Sequence, residues 1–173
     1  MKLTGKIVLL VAGLALAACT NPGRFGNDAG GGAGGGGIGS GAIVPGSAND
    51  PTSTAYFNQT VGDRVLFAVD QSDVTAEGQA VLNGQATWLL SNTDFTAVIE
   101  GHADEQGTRE YNVALGARRA NAVREYLISR GVAGNRLRTV SYGKERPIEI
   151  CSNEACYAKN RRAVTVLAGG LSG

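Results

Sequence analysis

A glycine-rich tract near the amino terminus limits how much of this chain can form a packed core. Residues 30–41 read GGGAGGGGIGSG, and 26 of the 173 residues are glycine. The surrounding sequence, from residue 21 to about residue 59, is also rich in Ser, Asn and Pro. Such a segment buries too little apolar surface to offset the entropy lost on ordering. We therefore predict a flexible tether over residues 19–59, one folded domain over residues 60–168, and a tail over residues 169–173.

The tether would let the folded domain reach away from whatever holds its amino-terminal end. About 40 flexible residues span roughly 35 Å on average and about 130 Å at full extension. A GxGxxG arrangement within the tether, at Gly32, Gly34 and Gly37, does not predict a nucleotide site. That motif requires a preceding strand and a following helix, and the sequence provides neither.

Residues 1–18, MKLTGKIVLLVAGLALAA, have the features of a secretory signal peptide. Two lysines precede an apolar run over residues 7–16, and small residues follow that run. A membrane-spanning helix needs about 20 apolar residues, so a run of this length favours a cleaved signal over an uncleaved anchor.

Cys19 directly follows Leu-Ala-Ala, which resembles the lipobox of bacterial lipoproteins. The resemblance implies that Cys19 becomes the new amino terminus and carries an N-acyl group, such as palmitate, and an S-diacylglycerol. Two or more acyl chains anchor a protein firmly to a bilayer, whereas one chain does so only marginally. Thr20 follows, rather than the aspartate that retains lipoproteins at the inner membrane. We therefore predict lipid anchoring in the outer membrane, facing the periplasm.

From residue 60 onward, the sequence alternates between strand-like and helix-like hydrophobic periodicity. Strands are predicted over residues 64–69, 95–101, 137–142 and 162–167. Helices are predicted over residues 75–90 and 108–130, with a short helical piece near residues 155–159. Thr75 and Thr108 are placed to cap the two longer helices. The order β-α-β-α-β-β indicates an α/β fold of the α+β type, in which a mixed four-stranded sheet carries its helices on one face.

The second predicted helix places a charged residue on its apolar side. At about 100° per residue, Leu115, Ala122 and Tyr126 fall within about 40° of one another. Arg119 lies on the same side, so we expect it to point into the fold or into a cleft beside it. An unpaired buried charge is costly, and the Arg119 guanidinium therefore needs an anionic partner.

Two aspartates are candidates for the acidic part of such a site. Asp104 lies between the second predicted strand and the second helix, where ligands of open α/β sheets commonly bind. The free N–H groups at that helix start also favour anions nearby. Asp70 follows the first predicted strand and lies at the same edge if the two strands are parallel. Two interpretations remain open: a buried salt bridge between Asp104 and Arg119, or a receptor in which one of them binds a ligand's cation and the other its carboxylate.

The residues around these charges resemble a known family. The similarity rests on three segments: IEGHADEQGTREYNVALGARRANAVREYL (99–127), SYGKERP (141–147) and KNRRAV (159–164). They are similar to motifs of the peptidoglycan-associated lipoproteins of the Tol–Pal system, which carry an OmpA-like carboxyl-terminal domain. The motifs are long and uninterrupted, and the resemblance covers about residues 61–167. It implies an OmpA-like peptidoglycan-binding domain over residues 60–168.

The resemblance also implies a ligand, the meso-diaminopimelate of the peptidoglycan stem peptide, whose free end carries an ammonium beside a carboxylate. In this family the aspartate of the GHxD motif binds the ammonium, and the arginine of the RA pair binds the carboxylate. Those positions correspond to Asp104 and Arg119, and charge-assisted contacts suit such a ligand. The resemblance adds Asp70, at the end of the first strand, and Thr108 and Leu115 near the ligand.

The implied function is to link the outer membrane to the cell wall within the Tol–Pal system, which supports envelope integrity and outer-membrane constriction at cell division. The implied protein partners are TolB and other Tol proteins, with a contact surface near Tyr142, Gly143, Lys144 and Arg161. Arg162 is expected to be a solvated residue at a strand end. An alternative is that the chain is mainly an interaction hub for TolB, with wall binding secondary. A flagellar-stator type of OmpA-like protein would need a membrane-spanning helix, and the lipobox argues against one.

The sequence gives no indication of an enzyme, a metal centre or a nucleic-acid-binding protein. His102, the one histidine, is expected to be hydrogen-bonded in the binding loop, and neither a metal-ligand set nor a G-x-S-x-G nucleophile accompanies it. Glu100, Asp104 and Glu105 crowd one loop, unlike the paired carboxylates of a glycosidase. Residues 60–168 carry 13 basic and 13 acidic side chains, without the basic excess of nucleic-acid-binding proteins. We predict no cofactor beyond the covalent lipid.

Cys151 and Cys156 enclose a short loop near the carboxyl terminus, and they do not form a C-x-x-C redox motif. If Cys19 is lipidated, these two cysteines remain as an even pair, as is typical of an oxidising compartment. We predict a structural disulfide between them that adds roughly 2 kcal/mol to stability.

Overall fold

The structure of the chain is a computed structural model, which describes residues 43–150 and 152–169. The predicted signal peptide, the lipid-bearing Cys19, the glycine-rich tract, Cys151 and most of the predicted tail lie outside the described residues. Cys156 is disulfide-bonded, and its pairing with Cys151 stays a prediction. No helix in the described ranges is long and apolar enough to cross a membrane.

The described chain contains helices and strands in the predicted order. They are α1 (Thr54–Tyr56), β1 (Arg64–Leu66), α2 (Ala76–Ser91), β2 (Phe95–His102), α3 (Arg109–Ser129), β3 (Leu137–Gly143), α4 (Glu154–Asn160) and β4 (Arg162–Gly169). A π-helical segment, Phe57–Gly62, continues α1. The order β-α-β-α-β-β over the predicted domain is confirmed, with α4 as the short helical piece. Thr75 and Thr108 cap α2 and α3 as expected, through their side-chain oxygens.

The four strands form one mixed sheet in the order β1-β4-β2-β3. β4 is antiparallel to both β1 and β2, whereas β2 and β3 are parallel. Because β4 separates β1 from β2 and opposes both, β1 and β2 run in the same direction. Their carboxyl ends therefore lie at one edge of the sheet, which places Asp70 and Asp104 at the same edge.

Both long helices pack on the same face of the sheet. Gln85 of α2 accepts a hydrogen bond at 2.8 Å from the hydroxyl of Thr165, which pairs with Ile99 across the sheet. Gly116 of α3 lies against Gly101, two residues beyond Ile99 on β2 and so on the same face. This side of the sheet holds the hydrophobic core, whose members include Phe57, Phe67, Leu82, Trp88, Leu89, Ile99 and Leu127.

The folded domain begins earlier than the sequence predicted. Residues 43–59 were assigned to the tether, but they contain α1 and the start of the π-helical segment. Phe57 is fully buried, and its ring lies 5.0 Å from that of Trp88. The Trp88 Nε1–H also donates to the Pro51 carbonyl at 2.7 Å. The boundary at residue 60 is therefore wrong, because one aromatic side chain in a polar stretch anchors the segment on the core.

The buried side of α3 is rotated from the apolar side that the sequence indicated. Gly116 and Ala120 face the sheet, whereas Ala122 and Tyr126 are only partly buried. A Cβ atom on Gly101 would lie 1.8 Å from the Gly116 carbonyl oxygen, so only glycine fits there. The close approach of α3 to β2 is thus set by small residues, which apolar periodicity does not register.

Candidate functional site

The residues predicted to bind a ligand surround a cleft at the carboxyl ends of β1 and β2, beside the first turns of α3. The cleft has a volume of about 240 Å³. It is lined by Val69, Asp70, Asp104, Gln106, Gly107, Tyr111, Asn112, Leu115 and Arg119. The structure therefore brings together four of the five predicted ligand-binding residues. The fifth, Thr108, is not among the lining residues, and its side chain instead accepts a hydrogen bond at 3.2 Å from the N–H of Tyr111.

Arg119 is completely buried, as expected, and its guanidinium binds backbone carbonyl groups. The Nε atom donates to the Gln71 oxygen at 2.8 Å, Nη1 to the His102 oxygen at 2.8 Å, and Nη2 to the Ala68 oxygen at 3.1 Å. These bonds join α3 to the segment that follows β1 and to the last residue of β2. A guanidinium has five N–H donors, so two remain for another acceptor.

The predicted salt bridge between Asp104 and Arg119 does not form between these two described residues, so that interpretation of the sequence is wrong. Burial lowers the pKa of the Arg119 guanidinium to about 10, and the nearby Asp104 carboxylate opposes the shift. Arg119 is therefore still a cation at neutral pH. Its guanidinium carbon also lies 5.2 Å from the centre of the Phe67 ring, on which it stacks. The cation is thus held by dipoles and a π face rather than by an acid.

Asp104 is almost buried, and each of its carboxylate oxygens already has a protein donor. The Oδ2 atom accepts from Nη1 of Arg161 at 3.1 Å, and Oδ1 accepts from the backbone N–H of Gln106 at 3.2 Å. A carboxylate offers about four lone-pair sites, so acceptor capacity remains for a ligand in the cleft. These two bonds fix the orientation of the carboxylate.

Asp70 also lines the cleft, in an unusual backbone conformation. Its φ of 56° lies in the left-handed region, which aspartate adopts more readily than most residues. Its carboxylate accepts a hydrogen bond from the hydroxyl of Tyr111, on the first turn of α3. That bond raises the pKa of the Tyr111 hydroxyl above its ordinary value. The Asp70 side chain therefore already has a hydrogen-bond partner, and its left-handed backbone conformation changes the direction of the chain beside the cleft.

The loop between β2 and α3 is shaped by residues that the sequence analysis did not single out for the site. Asn112 is buried, and its amide donates to the Gln106 oxygen at 2.8 Å. Lys144, beyond β3, donates through Nζ to the Gly107 oxygen at 2.7 Å. Asn112 bonds within its own loop and helix start, whereas Lys144 reaches a carbonyl 37 positions away, and neither backbone acceptor can be recognised from residue type.

His102 does not have the role that the sequence suggested. Its side chain is buried, and neither ring nitrogen has a hydrogen-bond partner among the described residues, so the expected hydrogen bond is wrong. Its ring centre lies 5.6 Å from that of Tyr142, on the sheet face away from the helices. Burial, together with the positive charges of Arg162 and Arg146, lowers the pKa of the imidazole to about 4. His102 is therefore neutral in the folded protein at neutral pH.

The two arginines before and at the start of β4 are both buried, which corrects the expectation that Arg162 is solvated. Arg161 is 5% exposed and Arg162 is 6% exposed. Arg162 donates to the carbonyl oxygens of Asn160 and Arg146, at 3.3 and 3.1 Å. Arg161 instead contacts two carboxylates, those of Asp104 and Glu154. Adjacent arginines thus have different partners.

Two larger cavities, of about 680 and 570 Å³, lie away from these charges. One lies at the amino end of β2 and includes Asp50 and Asp94. The other lies beside Trp88, on the outside of α2. Neither is lined by a basic residue, so neither offers the paired charges of the smaller cleft.

Comparisons with known proteins match this fold and this set of motifs. The OmpA family profile matches residues 66–161. A peptidoglycan-associated lipoprotein of Rhizobium meliloti (strain 1021) is 52% identical over 169 residues, which cover 96% of this chain and 89% of that protein. A peptidoglycan-associated lipoprotein of Haemophilus influenzae is 40% identical over 158 residues, covering 90% of this chain and 94% of that protein.

Solved structures give the same picture. The crystal structure of the peptidoglycan-associated lipoprotein from Burkholderia pseudomallei matches with a TM-score of 0.62 and 40% identity, covering 70% of this chain and 98% of that one. The carboxyl-terminal domain of Helicobacter pylori MotB matches with a TM-score of 0.59 at 22% identity, covering 63% of this chain and 86% of that domain. At that identity the second match shows a shared fold alone.

Proposed function

Because the chain belongs to the OmpA family, and within it to the peptidoglycan-associated lipoproteins, we propose that it binds the cell wall non-covalently through the meso-diaminopimelate of the stem peptide. The observation that carries this proposal is the cleft between β1, β2 and α3. Asp104 and Arg119 both line it, and these groups carry opposite charges. An ammonium and a carboxylate on one carbon are the complementary ligand chemistry.

The contacts that Asp104 and Arg119 already make support a division of roles. The Asp104 carboxylate keeps lone pairs for an ammonium, and the Arg119 guanidinium keeps two N–H donors for a carboxylate. Leu115 supplies an apolar wall to the same cleft. Asp70 contributes through its turned backbone, since Tyr111 already engages its side chain. Thr108 supports the site indirectly, by capping the helix that carries Arg119.

The proposal extends to the place of the chain in the cell envelope. The lipobox resemblance supports N-acyl and S-diacylglycerol chains on Cys19, and Thr20 supports retention in the outer membrane, facing the periplasm. An anchored chain with a wall-binding domain would link the outer membrane to the wall within the Tol–Pal system. Such a link would serve envelope integrity and outer-membrane constriction at cell division.

A sedimentation assay with insoluble peptidoglycan tests wall binding. Purified protein should pellet with the peptidoglycan, whereas Asp104→Asn and Arg119→Lys should reduce the bound fraction at least tenfold, because each loses a charge-assisted contact. Asp94→Asn and Arg138→Lys are matched controls, since these exposed residues lie outside the cleft, and they should bind as the original chain does. Binding that is unaffected by both cleft substitutions would overturn the site assignment.

TolB is the proposed protein partner, on the surface near Tyr142 and Lys144; Gly143 between them is buried and would not be touched. Lys144 binds the carbonyl of Gly107, which lines the cleft, so a protein on this surface would lie next to a bound stem peptide. We therefore expect TolB and peptidoglycan to compete. Adding TolB to wall-bound protein should release it, and a stable ternary complex would contradict this. If TolB binds and the wall does not, the chain is mainly an interaction hub.

We propose no enzymatic role for the chain. The proteins of this family act as structural and binding proteins, and the charged residues of the cleft suit a ligand rather than forming a nucleophile with its base. Incubation of peptidoglycan with the protein should release no soluble fragments. Fragments whose release required Asp104 would contradict this.

A further inference from the structure

A network of three charged side chains, two of them buried, includes the Asp104 carboxylate of the cleft. Arg161 does not line the cleft, yet its Nη1 atom lies 3.1 Å from Oδ2 of Asp104. The side chains of the two residues are 6% and 10% exposed. The guanidinium of Arg161 also binds Glu154, at the start of α4, through both Nη atoms. The cleft aspartate is thus one end of an Asp104–Arg161–Glu154 network.

Arg161 is held in this position by two hydrogen bonds to Phe67, the residue after β1. Its Nε donates to the Phe67 carbonyl at 3.3 Å, and its own carbonyl accepts from the Phe67 N–H at 2.9 Å. The residue is therefore bonded to the end of β1 from both its side chain and its backbone. A carboxylate held by such a fixed cation has a fixed orientation as well.

The net charge of the Asp104–Arg161–Glu154 network depends on Glu154. A pair of Asp104 and Arg161 alone is neutral and would attract a ligand ammonium only weakly. With Glu154 sharing the guanidinium, the three residues carry a net charge of −1. The Glu154 side chain is 64% exposed, so it balances Arg161 without being buried itself. Removing its charge should leave Asp104 more fully neutralised by Arg161.

We propose that Arg161 is a positioning residue for the ligand ammonium, and that Glu154 keeps Asp104 electrostatically available to it. This inference rests on the proposed diaminopimelate site. Arg161 orients the receiving carboxylate from the side opposite the ligand, and Glu154 offsets the positive charge that this arrangement introduces. Arg119 would receive the ligand carboxylate through its own N–H donors, and among the described residues it makes no hydrogen bond to Asp104 or Glu154.

The test compares three soluble peptides of the form L-Ala-γ-D-Glu-X by titration calorimetry with purified mature protein in detergent. X is meso-diaminopimelate, lysine, which lacks the terminal carboxylate, or 2-aminopimelate, which lacks the terminal ammonium. The unmodified protein should bind the first peptide at least tenfold more tightly than either analogue. If it does not bind the first peptide at all, the proposed function fails, and this inference fails with it.

In Arg161→Met, affinity for the diaminopimelate peptide should fall by about tenfold to a hundredfold. The preference over 2-aminopimelate should shrink, because Asp104 loses the contact that orients it, while the preference over lysine should persist. Glu154→Gln should weaken diaminopimelate binding by about threefold to tenfold without changing thermal stability, because the residue is exposed. A loss of structure alone would reduce both preferences together.

Arg162→Met is the matched control, because Arg162 is equally buried and does not contact Asp104. It should keep both ligand preferences. Arg161→Lys retains the positive charge and should restore part of the ammonium preference, which covers the case in which the methionine variant does not fold. If the unmodified protein binds and the Arg161→Lys and Glu154→Gln variants both keep its full ammonium preference, the inference is overturned.

Discussion

Arg119 has a structural role as well as a place in the cleft. Three carbonyl groups, on residues 68, 71 and 102, accept hydrogen bonds from its guanidinium. Arg119→Met should lower the free energy of unfolding by about 3 kcal/mol, because it removes all three bonds, including the buried one to the His102 carbonyl. Urea unfolding would measure the loss. Arg118→Met, the neighbour outside the cleft lining, should cost less than about 1 kcal/mol, and an equal loss in both variants would contradict the role.

The neutral, buried His102 gives the stability a definite pH dependence. Its pKa is about 4 in the folded protein against 6.5 in an unfolded chain, so the unfolded state binds more protons between these values. The free energy of unfolding should therefore fall as pH is lowered through this window, by about 3 kcal/mol in all. His102→Gln should lose that part of the pH dependence. Urea unfolding of both proteins at pH 7 and pH 4.5 would measure this difference. An equal pH dependence in the original protein and in His102→Gln would contradict the lowered pKa of His102.

At the scale of elements, α3 depends on its contact with β2. Gly101→Ala should lower the free energy of unfolding by more than about 3 kcal/mol, since the added methyl would overlap the Gly116 carbonyl and force α3 away. Because α3 carries Arg119, ligand affinity should fall as well. Gly84→Ala is a suitable control, because an added Cβ there meets only the Val61 side chain at 3.4 Å. Thermal unfolding of both variants provides the measurement, and equal stability would refute the close-contact argument.

The elements themselves could be predicted from the sequence because hydrophobic periodicity and caps are local signals. Thr75 and Thr108 mark helix starts that the structure confirms. The site was harder, because its fixed geometry comes from long-range partners. Arg161 meets Asp104 across 57 positions of sequence, and Arg119 binds carbonyls up to 51 positions away. Hydrophobic periodicity carries no information about contacts between residues so far apart in sequence. A backbone carbonyl can belong to any residue type, so the sequence does not reveal which carbonyls act as acceptors.

At the scale of the whole molecule, the amino-terminal boundary of the domain can be tested directly. A fragment over residues 43–173 retains the Phe57–Trp88 contact, whereas a fragment over residues 60–173 loses it. The shorter fragment should be less stable by about 4 kcal/mol, as for removal of a buried phenylalanine. Phe57→Ala in the longer fragment should reproduce most of that loss. Calorimetric unfolding of all three would show it, and equal melting temperatures would place the boundary near residue 60 after all.

The central position of β4 in the sheet affects when the ligand cleft can form during folding. β4 lies between β1 and β2, yet it is the last strand in the described chain. A nascent chain that ends before β4 contains Asp70, Asp104 and Arg119 but lacks the strand that pairs with both β1 and β2. Such non-local pairing raises contact order and slows folding. Under the proposed export to the periplasm, we therefore expect the sheet and the ligand cleft to be completed only after β4 has emerged.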